Sequence, residues 1–330
     1  MKLLLYNKDG MFDITQLVAS ADWSGQNKLC ARKLAFQMAT TSEDPNIPIV
    51  KCNLGNAVQL FEGDSLLFEG FVFNRSKSAS GNTMSVTCFD RGIYLNKNSV
   101  SRMVAGETAE SVTAQICGEF NIEVGELAKT GVPISRKFFG NTIYQVIQTL
   151  YTLASKQTGK KYRTCFQGAK LCVFERGTIG PVTVIESGVN LINAQITESI
   201  EDMVNQVQIF DQNHHLIQTV RDDEANKLYG VMQSYVVQSS NTDPVEEANR
   251  MMREHGLSQQ ITIDNLGDSS MVAGGAVFVK EPYTGVYGLF YIDSDTHSWK
   301  NNLYFNILSL ELEDVMDQMQ AGERLKQTKS

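Results

Sequence analysis

The 330-residue sequence has little proline, histidine or charge: six prolines, four histidines, and 20% Asp, Glu, Lys and Arg together. With so few prolines and no Ser- or Pro-rich tract, domains strung on extended linkers are excluded, and the parts are expected to pack directly on one another. The six cysteines (Cys30, Cys52, Cys88, Cys117, Cys165 and Cys172) contain no Cys-x-x-Cys pair and are too sparse for a disulfide scaffold, so reduced thiols are expected. No apolar run approaches a membrane span. The start, Met1 to Tyr6, turns polar at Asn7, short of a signal core. A product made in the cytoplasm, with no membrane partner, is the expectation.

A basic excess is also missing. Lys and Arg number 29 against 37 Asp and Glu, a formal net charge of −8, which disfavours tight nucleic-acid binding because that affinity comes from cations displacing phosphate counterions. Gly-x-Ser-x-Gly, His-Glu-x-x-His and phosphate-loop motifs are absent. Acidic runs such as Glu201-Asp202 and Asp222-Asp223-Glu224 read as solvated loops in preference to a glycosidase pair. The expectation is therefore a protein without catalytic residues, metal or cofactor.

What is present is an apolar content of 42%, enough for several packed cores in a chain of this length. The predicted class is α+β, mainly β. Leu34, Phe36 and Met38 alternate with Lys33, Ala35 and Gln37, and Met84, Val86 and Cys88 alternate with Thr83, Ser85 and Thr87, the period of half-buried strands. Residues 1–97 are read as a first β-barrel and 98–186 as a mixed α/β domain. In that middle part Ala109, Val112, Ile116 and Phe120 form one helical stripe, and Ile143 to Leu153 form another behind an Asn141 cap. A hairpin turning at Gly168-Ala169 would set Gln167 opposite Lys170 and Cys165 opposite Cys172. Residues 187–318 are read as a second barrel and 319–330 as a tail. A helical insertion is predicted near 241–262, with Asp243 as cap, Pro244 in the first turn, and Val245, Ala248 and Met252 on one face.

Two barrels are suggested by a faint internal repeat. Gly55-Asn-Ala-Val58 is followed by Gly70-Phe-Val-Phe73, and Gly274-Gly-Ala-Val277 by Gly288-Leu-Phe-Tyr291. Polar turns are then expected at Ser76 to Asn82 and Ser294 to Asn302. Counting from Gly70 and Gly288 matches Arg75, Lys77 and Ala79 with Asp293, Asp295 and His297. The alternating Asp293, Asp295 and His297 would share one strand face. That set suits a metal, but an exposed face contacting a neighbour is the preferred reading, with Arg75, Lys77, Asp293 and Asp295 as interface candidates.

Four stretches carry a family resemblance: Trp23-Ser-Gly25 before Ala31-Arg-Lys-Leu-Ala-Phe36, Gly63 to Phe73, Phe89 to Asn98, and Asp293 to Lys300. In them the chain resembles the baseplate hub proteins of contractile phage tails, the XkdQ and YqbQ group of PBSX-like prophages. The resemblance implies two tube-like antiparallel barrels separated by an α/β segment, with three copies forming a pseudo-six-fold ring. Such a homotrimer would adapt a hexameric tail tube to a trimeric central spike. The implied partners are the chain itself, the tail tube protein and the central spike protein, with a LysM-type baseplate protein and the tape measure protein around them. The implied location is the baseplate of a virion or of a bacteriocin-like tail particle. No lysozyme-like or spike domain is recognised, so those roles are expected on other chains. A cell-wall hydrolase at the tail tip, or a tube adaptor (distal tail protein) of a non-contractile tail, are the alternatives.

Overall fold

A computed structural model of the chain describes residues 1–40, 48–78, 82–176, 182–238 and 243–325. Ala79 and the Ser80-Gly81 turn lie outside the described residues. The described chain divides into two compact units, Met1–Ala194 with the stretch from Thr262 onward, and Gln195–Ile261.

The first unit begins with the hairpin β1 (Lys2–Asn7) and β2 (Gly10–Asp13), then β3 (Val18–Gln26), β4 (Lys33–Ala39), β5 (Ala57–Glu62), β6 (Ser65–Lys77) and β7 (Thr83–Phe89). Their order is β3-β4-β7-β6-β5-β1-β2, antiparallel throughout. The alternation seen in the sequence is the cause. Leu34, Phe36 and Met38 of β4 and Met84, Val86 and Cys88 of β7 are all buried in one core with Leu3, Leu5, Val58 and Leu60.

The next segment holds α1 (Gly92–Lys97), β8 (Ser99–Glu107), α2 (Ala109–Glu119), β9 (Val124–Leu127), β10 (Ile134–Thr142), α3 (Ile143–Thr158), β11 (Lys161–Gln167), β12 (Lys170–Arg176) and β13 (Thr183–Glu186). The predicted stripes of α2 and α3 form a second core, with Val112, Ile116, Ile147 and Leu150 fully buried. The α3 cap is Thr142 rather than Asn141: Thr142 and Gln145 make a reciprocal capping box that satisfies two first-turn amides. The β11–β12 hairpin has the expected register, Gln167 opposite Lys170 and Cys165 opposite Cys172, and both thiols are free.

The chain leaves this unit along β14 (Leu191–Ser199) and forms a small α/β unit from β15 (Gln206–Phe210), β16 (Leu216–Arg221), α4 (Asp223–Tyr229), β17 (Gln233–Val237) and α5 (Pro244–Glu254). Asp243 caps α5 by accepting from Val245 N at 2.9 Å. Ala248, Val245 and Met252 pack on Val207, Ile209 and Val236. The insertion is thus a helix on a three-stranded sheet, because one amphipathic face needs an apolar surface to cover it.

The chain returns along β18 (Ser258–Leu266), then β19 (Ala276–Glu281), β20 (Val286–Lys300), β21 (Leu303–Glu311) and a short β22 (Glu323–Arg324). After β21 the chain docks on α3: Met316 enters the second core, Asp317 accepts from Tyr144 Oη at 2.8 Å, and β22 pairs with β10. The strand order β14-β18-β21-β20-β19 matches β3-β4-β7-β6-β5. The two sets form one continuous sheet, joined by antiparallel pairing of β20 with β3. The expected pair of closed barrels is not found among the described residues. The edges that would have to meet within the first set are occupied by other strands, since β1 covers β5 and β20 covers β3. Beside β19 lies β13, parallel where β1 is antiparallel, so the likeness ends there.

Candidate functional site

The two strand sets repeat in backbone detail. Gly55 N–H donates to Val72 O at 2.8 Å and Val72 N–H to Asn56 O at 2.9 Å; Gly274 N–H donates to Ile292 O at 2.7 Å and Ile292 N–H to Gly275 O at 2.9 Å. Both leading glycines are left-handed, with φ of 81° and 82°, a conformation a Cβ disfavours. Just past β4, Thr40 N–H donates to Asn82 O; just past β18, Gly267 N–H donates to Tyr304 O. Pairing slips once after Val72 on β6 and once after Ile292 on β20, where Phe73 and Asp293 are the bulged residues.

These fixed points correct the count made from sequence. Val58 lies opposite Gly70, and Val277 lies opposite Phe290, so Gly288 is not the counterpart of Gly70. The β5–β6 turn is two residues shorter than the β19–β20 turn, and strand pairing, not glycine spacing, sets the match. Arg75 is therefore the counterpart of Asp295, and Lys77 that of His297. The polar stretch from Ser294 to Lys300 is strand, with its turn at Asn301-Asn302.

The bulge also overturns the shared face expected for Asp293, Asp295 and His297. Before it Phe290 and Ile292 are buried; after it Asp295, His297 and Trp299 are, because one extra residue inverts the alternation. Asp293 sits at the inversion, and its carbonyl accepts from Asn27 N–H at 2.6 Å. Among the described residues no group of three metal-ligating side chains forms. The four interface candidates do not share an exposed face: Arg75 and Lys77 are exposed on β6, Asp293 is half-buried, and Asp295 is 1% exposed.

Asp295 instead lies at the centre of the joint between the sets. Along β3 and β20, Trp23 faces His297 and Gly25 faces Asp295. Arg32, entering from the start of β4, grips both Asp295 oxygens, with Nη1 3.0 Å from Oδ1 and Nη2 on Oδ2. The same guanidinium lies 4.0 Å above the Trp23 ring, a cation–π contact. Asp295 also accepts from Ala273 N–H at 2.6 Å, and its Oδ2 is 3.2 Å from His297 Nε2. His297 Nδ1 is 2.8 Å from the Tyr304 hydroxyl. Burial alone would raise the Asp295 pKa, but the bond from His297 and the Arg32 guanidinium outweigh it and hold it below the usual carboxylate value.

Asp90 supports the joint from behind. Its carboxylate accepts from Arg32 N–H at 3.1 Å and Gly92 N–H at 2.9 Å, yet burial dominates and pushes its pKa up to about 6. Sequence reading noted Ala31-Arg-Lys and Trp23-Ser-Gly only as parts of a resemblance, and Tyr304 not at all. Their meeting depends on the β3–β20 pairing, for which no local signal exists. Arg75 does the analogous job in the first set by donating to Cys52 O at 2.7 Å and Asn53 Oδ1 at 2.9 Å, pinning the loop before Gly55 as Asp295 pins that before Gly274.

Known proteins are similar to this chain in sequence or in fold. The phage-like element PBSX protein XkdQ of Bacillus subtilis (strain 168) is 26% identical over 259 residues, covering 72% of this chain and 78% of that protein. The uncharacterized protein YqbQ of the same organism is 25% identical over 260 residues, covering 74% and 79%. The solved 43 kDa tail protein of prophage MuSo2 from Shewanella oneidensis shares the fold at a TM-score of 0.73 and 14% identity, covering 96% of this chain and 100% of that one. The YqbQ-like family model matches residues 21–313, from the β3 side of the joint to the end of β21, and the chain belongs to that family.

Proposed function

We propose that this protein is a structural subunit of a phage-tail baseplate, a hub in which three copies form a ring of six equivalent strand sets. The observation that carries the reading is the pairing of β20 with β3, which already joins two like sets side by side within one chain. A subunit holding two copies of one surface reconciles three-fold with six-fold symmetry, the mismatch between a central spike and a tail tube. The partners in this reading are the tube protein above and the spike protein below, with tape measure and LysM-type baseplate proteins at the periphery. Closure that each set lacks by itself would come from neighbouring sets around the ring.

The hydrolase alternative gains little support from the carboxylates. Asp295 is ion-paired and held ionised, unsuited to donating a proton. Asp90, whose raised pKa suits a general acid, borders a cavity of about 50 Å³ shared with Arg32 and Glu69, far below the roughly 300 Å³ at which ligand pockets begin.

The test is the mass of the assembly by analytical ultracentrifugation, alone and with tube and spike proteins added. Three 36.7 kDa chains per particle is the expected result. A monomer under every one of these conditions overturns the hub.

A further inference from the structure

The β11–β12 hairpin sets Cys165 directly opposite Cys172, two pairs out from Gln167 and Lys170 at the turn. Opposed residues of an antiparallel pair point to the same side of the sheet. The alternate residues Tyr162, Leu171 and Val173 fill the second core, so both thiols lie on the other face of the hairpin. Counted outward from the two-residue turn, theirs is a hydrogen-bonded pair. The Cα atoms of such a pair stand about 5.5 Å apart, inside the range of about 4.4–6.8 Å that a disulfide spans.

Access distinguishes the two sulfurs. Cys30, Cys52, Cys88 and Cys117 are at most 3% exposed, whereas Cys165 is half-buried and can be reached by a small reagent. Burial raises the Cys165 pKa, and the Arg163 guanidinium opposes that rise, as a cation beside a thiolate does. Cys172 is 3% exposed, and its sulfur rests in a notch on β9: a Cβ at Gly125 would lie 2.5 Å from Cys172 Sγ. Its polar contacts are weak, at 3.8 Å to Lys170 O and 4.0 Å to Gln167 Oε1. Because β12 runs between β9 and β11, a step from one staggered rotamer to another takes the sulfur off the β9 side and turns it toward Cys165.

We propose that Cys165 and Cys172 form a site of thiol–disulfide exchange, at which a low-molecular-weight disulfide converts the two thiols into a cross-strand disulfide. The Cys165 thiol loses its proton to solvent and its sulfur attacks one sulfur of the reagent. The reagent S–S bond breaks, and the departing thiolate takes up a proton. Cys172, its own proton lost, attacks the Cys165 sulfur of the mixed disulfide and displaces the second thiolate. Two protein thiols are oxidised and one reagent disulfide is reduced to two thiols, so electrons and protons balance. Access sets the order: the half-buried thiol meets the reagent and the enclosed one resolves the adduct. The site is independent of the hub reading, since both strands belong to one hairpin of one chain.

The experiment treats the reduced full-length protein with oxidised glutathione at about pH 8.5, the ordinary thiol pKa. The protein is then denatured, its remaining thiols are alkylated, and it is digested with trypsin without reduction. Cleavage after Arg163, Lys170 and Arg176 places Cys165 in Thr164–Lys170 and Cys172 in Leu171–Arg176, so the disulfide is read as these two peptides held together. That linked mass is expected, with the other four cysteines alkylated. Cys172→Ser is expected to leave glutathione on Cys165. Gly125→Ala fills the notch and is expected to form the link several-fold faster, with Cys30, Cys52, Cys88 and Cys117 still unreacted, which a misfolded variant would not show. Cys165 and Cys172 both alkylated after oxidation, or Cys165 linked to Cys30, overturns the pair as an exchange site. A link that forms no faster in Gly125→Ala overturns the part given to the notch.

Discussion

Arg32 and Asp295, 263 positions apart in the chain, meet in a two-pronged ion pair at the joint between two repeated strand sets. Asp295 is fully enclosed, and Arg32 is roofed by Trp23. Removing one partner strands the other charge in a low-dielectric site, where its attraction no longer offsets its lost hydration.

Arg32→Met is accordingly expected to destabilise the first unit by about 3–5 kcal/mol, the usual cost of breaking a buried pair from one side. Urea unfolding followed by tryptophan fluorescence reads this directly, since Trp23 stacks on the guanidinium. A change under about 1 kcal/mol would show the pair to be solvated, as exposed pairs are.

Asp90 and Asp295 act oppositely on acid stability. A carboxyl whose folded pKa is raised binds more protons folded than unfolded, so Asp90 makes the fold less stable as pH rises from about 4 to about 6. Asp295, with a depressed folded pKa, contributes stability present above the ordinary carboxylate range and lost as pH falls through its folded value. Carboxyl NMR is expected to show Asp90 titrating near 6 and Asp295 below the usual carboxylate value. Asp90→Asn should flatten the stability profile between about pH 4 and 6.

The two leading glycines differ in their surroundings. A Cβ at Gly55 would meet open space, but one at Gly274 would lie 2.8 Å from Arg163 side-chain atoms. Both alanine variants bear the left-handed penalty of about 1–2 kcal/mol. Gly274→Ala should cost more, by thermal or urea denaturation, and equal losses would mean that Arg163 swings aside freely.

In the inserted unit, Asp243→Ala removes the acceptor of Val245 N–H, with an expected loss of about 0.5–2 kcal/mol. Hydrogen exchange should speed up in the first turn of α5, while assembly of the first unit is unaffected. Unchanged exchange at Val245 would mean that water satisfies that amide as well as Asp243 does.

Much of this protein was written locally. The alternation at Leu34, Phe36 and Met38, the hairpin that opposes Cys165 to Cys172, the Asp243 cap and the left-handed turns at Gly55 and Gly274 follow from residues within a few positions of one another, whose preferences act before any long-range contact exists. The repeat itself was visible for the same reason, as two similar turns leading into similar strands. Its register was not. The bulge at Asp293, matched by a slip in pairing at Phe73, inverts the buried face of β20 without any marker in composition, so Asp295 and His297 turn inward and Asp293 does not. Which edge β20 would cover was equally beyond sequence, because strand edges offer the same backbone donors and acceptors to any partner. Packing around Arg32, Trp23 and Tyr304 selected β3, and so joined the two sets into one open sheet where local pattern had suggested two closed barrels.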